Sequence, residues 1–170
     1  VEKLCQERAL KVFKLSAKKW AVNVQTLSGS PANAAVFLGL LQPGDTILGM
    51  DLAAGGHLTH GHKLSISGIT YNSVTYGLNQ KDYRIDYKEI EEKALAHKPA
   101  LIIAGFSAYS GNIDWKKFRD IAKKVQKAHG YTPILMADIA HIAGLIAGGQ
   151  IAGPWEFFDV VTTTTHKTLR

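Results

Sequence analysis

The stretch Ala100-Leu101-Ile102-Ile103-Ala104-Gly105 is a continuous apolar run near the middle of the chain. A run of this kind is typical of a central strand in a parallel sheet, because helices cover both of its faces. Three further segments have the length and composition of strands: Thr46 to Met50, Ile134 to Ala137, and Val160 with the threonines that follow it. The sequence therefore predicts a sheet with Ala100 to Gly105 at its centre.

Helical signals separate these strands. Ser30 and Pro31 predict an N-cap and first helical position, Asp86 predicts the start of a second helix, and Asp114 that of a third. The alternation of strands and helices favours an α/β fold, a three-layer αβα sandwich with a mostly parallel mixed sheet.

Two other regions carry weaker strand signals. Trp20 to Thr26 predicts a short strand or an extended segment before the first glycine turn. Ser65 to Thr70 and Asn72 to Tyr76 contain short β-rich pieces, which predict edge or connecting strands. No chemistry is predicted for either region.

The composition limits the class of protein. With 170 residues, 46% of them hydrophobic, the chain can form one domain with a core. Its single cysteine, Cys5, excludes an internal disulfide framework and fits a reducing compartment. The net charge of +6 comes largely from solvated helix faces, so we expect no specific nucleic-acid partner.

The sequence also bears on location. No apolar run approaches the ~20 residues that span a bilayer, so we expect no membrane partner. We expect a cytoplasmic protein, and a mitochondrial location stays open because a segment before Val1 could carry a targeting signal.

Polar and titratable side chains follow the strands. Ser107 follows the central run, Asp138 ends the strand from Ile134, and His166 and Lys167 follow the last strand. In an open α/β sheet, ligands bind at the carboxyl ends of the strands. Asp138 is either a helix cap or the partner of a cationic group. Lys167 is either solvated or placed to form a Schiff base.

Two glycine-containing stretches suggest ligand contacts. Ser28-Gly29-Ser30 is either a plain capped helix start or a phosphate site made from free backbone N–H groups. Gly55 and Gly56 let the backbone approach a flat ligand closely, and His57 can lay its ring against that ligand.

The histidines raise a metal alternative. His57, His60 and His62 lie within six residues, and Asp138, His141 and His166 form a second possible ligand set. Because no cysteine or nearby glutamate completes a shell around the three histidines, we expect no metal, and a plain surface loop remains the other alternative.

The run Thr162 to Leu169 resembles the motif that carries the pyridoxal-phosphate (PLP) lysine in the serine hydroxymethyltransferase family. Four further blocks, in the same order as in that family, extend the resemblance: Ser28 to Asn33, Gly55 to Gly61, Gly105 to Gly111 and Asp138 to His141. The resemblance implies the large-domain fold of the aspartate aminotransferase-like PLP enzymes.

The resemblance implies a role for each site residue. Lys167 would hold PLP as a Schiff base, and Asp138 would pair with the protonated pyridine nitrogen. The implied cofactor-binding residues are Ser28, Gly29, Ser30, His57, Ser107, Asp138, His141, His166 and Lys167. The implied catalytic residues are Lys167, His166, His57, Asp138 and Thr164. Among these residues, His57 would stack on the pyridine ring of PLP.

The resemblance also implies substrates and partners. The activity would be reversible transfer of the hydroxymethyl carbon of serine to tetrahydrofolate, giving glycine and methylene-tetrahydrofolate. Leu52, Gly56 and Leu58 would contact the folate. The assembly would be a homodimer or homotetramer.

The resemblance covers only part of that family's length. It implies that residues 1–170 are part of the PLP-binding large domain, and that an N-terminal arm, the rest of the large domain and a C-terminal domain lie outside the chain. Three alternatives stay open: another PLP enzyme of the same fold such as a threonine aldolase, a metal-dependent hydrolase, and an inactive piece that only partly forms the cofactor site.

Overall fold

The computed structural model describes residues 1–170 and contains six α-helices and five β-strands. The strands are β1 (Thr46–Met50), β2 (Asn72–Tyr76), β3 (Leu101–Gly105), β4 (Ile134–Asp138) and β5 (Val160–Thr162). The helices are α1 (Glu2–Val12), α2 (Gly29–Leu40), α3 (Ile66–Thr70), α4 (Tyr87–His97), α5 (Trp115–His129) and α6 (Ala143–Ala147). Two 3₁₀ turns, Leu52–Ala54 and Leu58–His60, follow β1.

The five strands form one sheet in the order β2-β1-β3-β4-β5, and every neighbouring pair is parallel. The apolar run quoted above is β3, the middle strand, and all five of its residues are buried. The prediction of an α/β fold is confirmed. Because all strands run the same way, their carboxyl ends lie at one edge of the sheet.

Successive residues of β3 face opposite sides of the sheet. Ile102 and Ala104 join the larger core cluster, to which α4, α5 and α6 contribute, whereas Leu101 and Ile103 join a smaller cluster with Phe37 of α2. The sheet therefore lies between two helical layers, as predicted.

Local capping explains where the helices begin. Asp86 accepts hydrogen bonds from the N–H groups of Lys88 and Glu89 at the start of α4, both at 3.1 Å. Asp114 accepts one from Lys117 N at 3.3 Å at the start of α5. Both predicted caps are confirmed, because these carboxylates satisfy N–H groups that have no partner within the helix.

Two local predictions need correction. The strand predicted for Ser65 to Thr70 is wrong, because Ile66–Thr70 forms α3, which a hydrogen bond from Gly61 N to Ser67 Oγ (3.0 Å) ties to the preceding loop. For Trp20 to Thr26, where a short strand or an extended segment was predicted, the structure excludes only the strand, because the segment pairs with none. The N-cap position of α2 is Ser28, two residues before the predicted cap at Ser30, and its side chain makes no capping hydrogen bond. None of the helices combines the length and the apolar character that crossing a membrane requires.

Candidate active site

The residues that follow β1, β3, β4 and β5 meet at the carboxyl edge of the sheet. The register aligns Gly105 of β3 with Asp138 of β4, and Asp138 with Thr162 of β5. The first turn of α2 lies beside the same edge, where the Cβ position of Gly29 is 3.0 Å from the Thr164 methyl group. Residues far apart in the sequence therefore share one site.

Asp138 is the buried anion of this site, with only 8% of its surface exposed. Its Oδ2 accepts hydrogen bonds from Asn33 Nδ2 (2.9 Å) and His60 Nε2 (3.0 Å), and its Oδ1 accepts one from Ala140 N (3.1 Å). Burial alone would raise the pKa of Asp138, but the bonds from His60 and Asn33, the charge of His60 and the Ala140 N–H together lower it to about 2. The carboxylate is therefore ionised at neutral pH.

This pKa predicts an acid-dependent loss of stability. The folded-state pKa of Asp138 is below its ordinary value of 3.8, so its ionised form stabilises the fold above about pH 4. We expect a contribution of roughly 2 to 3 kcal/mol, lost as the pH falls from about 4 through about 2. Urea unfolding of the parent and of Asp138→Asn should show the difference in unfolding free energy shrinking over that interval. A difference that stays constant would contradict the assignment.

His57 lies half-buried beside this carboxylate. Its Nδ1 is 2.7 Å from Thr59 Oγ1 and accepts a hydrogen bond from Thr59 N at 3.2 Å. Burial lowers the pKa of His57 below its ordinary value, and the charges of His60, Lys167 and His141 lower it further, against the opposing effect of Asp138. The His57 ring is therefore neutral at neutral pH.

Lys167 is half-buried on the loop after β5. Its positive charge helps to lower the pKa of His57, and after burial it is the main cause that lowers the pKa of His141. The next residue, Thr168, fixes the loop to α6 by donating to His141 O (3.0 Å) and accepting from Gly144 N (3.1 Å). The structure thus brings Lys167, His57, His141 and Asp138 together.

Backbone contacts place Ser107 against the loop after β1. The N–H groups of Ser107 and Ala108 donate to Gly55 O at 2.8 and 3.0 Å, and Gly55 adopts a left-handed conformation (φ 105°) that favours glycine. At the start of α2, the Ser28 side chain makes no capping hydrogen bond. The first N–H groups of that helix therefore have no side-chain acceptor within the protein.

Three buried side-chain atoms have no hydrogen-bond partner within the protein: Asn33 Oδ1, Ser107 Oγ and Thr162 Oγ1. Buried polar atoms are normally satisfied, so these three indicate a polar ligand at the sheet edge. Together with the Asp138 carboxylate, the Lys167 amine and the start of α2, they supply partners for a ring cation, an aldehyde and a phosphate. The donor set fits PLP.

The remaining predicted residues are placed as follows. Thr164 is buried, and its Oγ1 donates to Ala140 O at 3.4 Å, whereas His166 is exposed. Leu52 and Leu58 are 42% and 46% exposed, and Gly56 between them is buried. The functional roles of all these residues stay predictions. No three His, Cys, Asp or Glu side chains lie in an arrangement that could hold a metal ion.

The sequence did not predict roles for four residues of the site: Asn33, Thr59, His60 and Thr162. A signal existed for Asn33, which is the one polar residue in the otherwise apolar stretch from Pro31 to Leu40 of α2. A buried amide needs hydrogen-bond partners, so its position pointed to a polar contact. No comparable signal separated His60 from His57 and His62.

These features define a ligand-binding α/β domain whose site, at the carboxyl ends of parallel strands, fits PLP. A model of the serine hydroxymethyltransferase family matches residues 1–170. The chain belongs to the serine hydroxymethyltransferase family.

Similar proteins in bacteria carry the same family name. The chain is 58% identical over 169 residues to the serine hydroxymethyltransferase of Francisella philomiragia and 54% identical over 170 residues to that of Acinetobacter baumannii. It is 55% identical over 169 residues to that of Francisella tularensis subsp. novicida. These alignments cover 99 to 100% of the chain, which spans 38% of the length of each relative.

Proposed function

We propose that the protein to which this chain belongs transfers the hydroxymethyl carbon of serine reversibly to tetrahydrofolate, giving glycine and methylene-tetrahydrofolate. The observation that carries this proposal is the convergence of Asp138, His57 and Lys167 at one sheet edge, in a chain that belongs to the serine hydroxymethyltransferase family. The bacterial relatives that share 54 to 58% of its residues support the same activity.

The residues of the chain would hold PLP at distinct points. The ionised Asp138 would bind the cationic ring nitrogen, and the Lys167 amine would hold the aldehyde carbon covalently. The N–H groups of Gly29 and Ser30 would bind the phosphate at the start of α2, where the helix dipole favours an anion. When bound, PLP supplies the electron sink for the carbon–carbon bond cleavage.

The other residues would orient the ring and exclude water. The neutral ring of His57 would lie against the cofactor, and Ser107 and His141 would contact its ring oxygen. His166 and Thr164 would support the loop that carries Lys167. The buried, unpartnered hydroxyl of Ser107 supports such a contact, because it lacks an acceptor or donor within the protein.

Tetrahydrofolate would bind on the outer side of this site. Leu52 and Leu58 offer exposed apolar surface on either side of Gly56, directly beside His57. Exposed leucines next to a polar cleft suit a flat ring with one apolar face. Leu52, Gly56 and Leu58 therefore remain our candidates for folate contacts.

The wider setting is also a proposal. The share of 38% of each relative's length supports the view that residues 1–170 are part of the PLP-binding large domain, with other segments completing the enzyme. We propose a homodimeric or homotetrameric assembly in the cytoplasm, as the family resemblance implies.

An assay of the full-length enzyme tests the function. Purified protein is incubated with serine and PLP, with and without tetrahydrofolate, and glycine is measured. We expect glycine formation from serine to need both tetrahydrofolate and PLP and to survive a chelator. Cleavage of threonine with no need for folate in any reaction would instead indicate an aldolase, and activity lost to a chelator would indicate a metal-dependent hydrolase.

A further inference from the structure

A chain of short hydrogen bonds runs from the Asp138 carboxylate to the His57 ring. Asn33 Nδ2 lies 2.9 Å from Asp138 Oδ2 and 2.8 Å from Thr59 Oγ1. Thr59 Oγ1 in turn lies 2.7 Å from His57 Nδ1. We refer to Asp138, Asn33, Thr59 and His57, in this order, as the relay.

The directions of the bonds in the relay follow from the Asp138 carboxylate at one end and from the Thr59 N–H at the other. An ionised carboxylate only accepts hydrogen bonds, so the Asn33 NH₂ group must face Asp138, since the opposite amide orientation would place two oxygens in contact. The second Asn33 N–H then points at Thr59 Oγ1, which accepts it. Because the Thr59 N–H also donates to His57 Nδ1, that nitrogen is an acceptor, and the Thr59 hydroxyl donates its own proton to it.

His57 Nδ1 therefore receives two donors, the Thr59 hydroxyl and the Thr59 N–H. A nitrogen that accepts hydrogen bonds carries no proton, so the neutral ring must carry its proton on Nε2. Protonation of Nδ1 would abolish the contact with the Thr59 N–H and would force the Thr59 hydroxyl to turn from donor to acceptor. We infer that Asn33 and Thr59 are positioning residues that hold His57 as the neutral tautomer with its proton on Nε2.

The consequence for the cofactor rests on the proposed function. A neutral imidazole can lie against a cationic pyridine ring and beside Lys167 without charge repulsion. The charged and titratable groups that face His57 are His60, Asp138, Lys167 and His141, and three of these four oppose its protonation. The relay adds a geometric reason for His57 to stay neutral.

The tautomer can be measured without any cofactor. Histidine-¹⁵N-labelled, ligand-free protein is studied by two-bond ¹H–¹⁵N correlation spectra, with the His57 signals assigned by their loss in His57→Gln. We expect the parent to show an unprotonated Nδ1 and a protonated Nε2. In Thr59→Val the hydroxyl donor is lost and only the backbone N–H of residue 59 still donates to Nδ1, so the population of the other tautomer should increase and the proton affinity of His57 should rise about tenfold.

Two further variants distinguish an effect of the relay on His57 from a general loss of structure. Thr59→Ser keeps the hydroxyl and should restore the tautomer and the proton affinity of the parent. Thr132→Val removes an exposed threonine hydroxyl before β4 and should leave His57 unchanged. A parent with a protonated Nδ1, or a Thr59→Val protein with the His57 signals of the parent, would overturn the inference.

The same samples distinguish failure of the relay from failure of the proposed function. PLP is added to the parent after the ligand-free spectra have been recorded. If the Nε2–H tautomer and its dependence on Thr59 are found but PLP binds neither to this chain nor to the full-length enzyme, the relay stands and the proposed function fails. If PLP binds but His57 does not depend on Thr59, the relay fails and the function stands.

Discussion

Lys167→Ala is expected to abolish the covalent retention of PLP. Lys167 is the lysine of the site, and its charge helps to lower the pKa of both His57 and His141. A methyl group in its place leaves no nucleophile for the aldehyde. In the parent, added PLP should give a visible absorption band that borohydride converts into a permanent modification of the chain. In Lys167→Ala the modification should be absent from the peptide that contains residue 167.

Two variants control for surface lysines and for charge. Lys127→Ala removes an exposed lysine of α5 and should leave the trapping of PLP by borohydride unchanged. Lys167→Arg keeps a positive charge beside the histidines, but a guanidinium stays protonated and does not replace the amine. Trapping that persists in Lys167→Ala and falls in Lys127→Ala would show that the reactive lysine has been misassigned.

Lys167→Ala should also nearly eliminate turnover in the full-length enzyme. A positioned group that moves protons contributes about 10²- to 10⁴-fold, and Lys167 would also hold the cofactor, so we expect a loss at the upper end of that range or beyond. The rate of glycine formation from serine and tetrahydrofolate measures it. Lys167→Arg should be as inactive as Lys167→Ala, because the missing property is the free amine and not the charge.

The sequence predicted most of the sheet because each signal was local. A short, fully apolar run such as Leu101 to Gly105 is typical of a buried strand. Asp86 and Asp114 cap helices through hydrogen bonds to residues two or three positions away in the chain. The wrong prediction of a strand at Ser65 to Thr70 has the opposite origin, because a non-local contact decided the structure. Ile66–Thr70 is β-rich, but packing against the preceding loop decided its conformation.

The site could be predicted only as far as its residues follow strand ends. Ser107, Asp138 and Lys167 were identified in this way, and the family resemblance added roles for them. The contact of Asn33 with Asp138 joins residues 105 positions apart, and that of His60 with Asp138 joins residues 78 apart. Such pairs depend on the register of the strands and on how α2 lies over the sheet, which no local pattern specifies.

Asp138→Asn is expected to have the second largest effect, because it removes the anion but keeps the shape of the side chain. With a pKa of about 2, the carboxylate of the parent is fully charged at neutral pH. The amide that replaces it cannot hold a ring cation, so PLP should be a weaker electron sink. We expect turnover to fall roughly 10²- to 10³-fold, the effect of removing one preorganised electrostatic group.

The structure also predicts how Asp138 variants differ from one another. In Asp138→Ala the donors Asn33 Nδ2 and His60 Nε2 lose their acceptor, so each buried group adds about 1 to 3 kcal/mol to the loss of unfolding free energy. In Asp138→Asn one amide oxygen remains to accept a bond, so stability should fall less than in Asp138→Ala while turnover falls just as far. Urea unfolding and steady-state kinetics of the two variants separate these effects. Normal turnover in Asp138→Asn would show that the charge of Asp138 has no role in the reaction. If the loss of turnover in the two variants is proportional to their loss of unfolding free energy, the role of Asp138 is structural only.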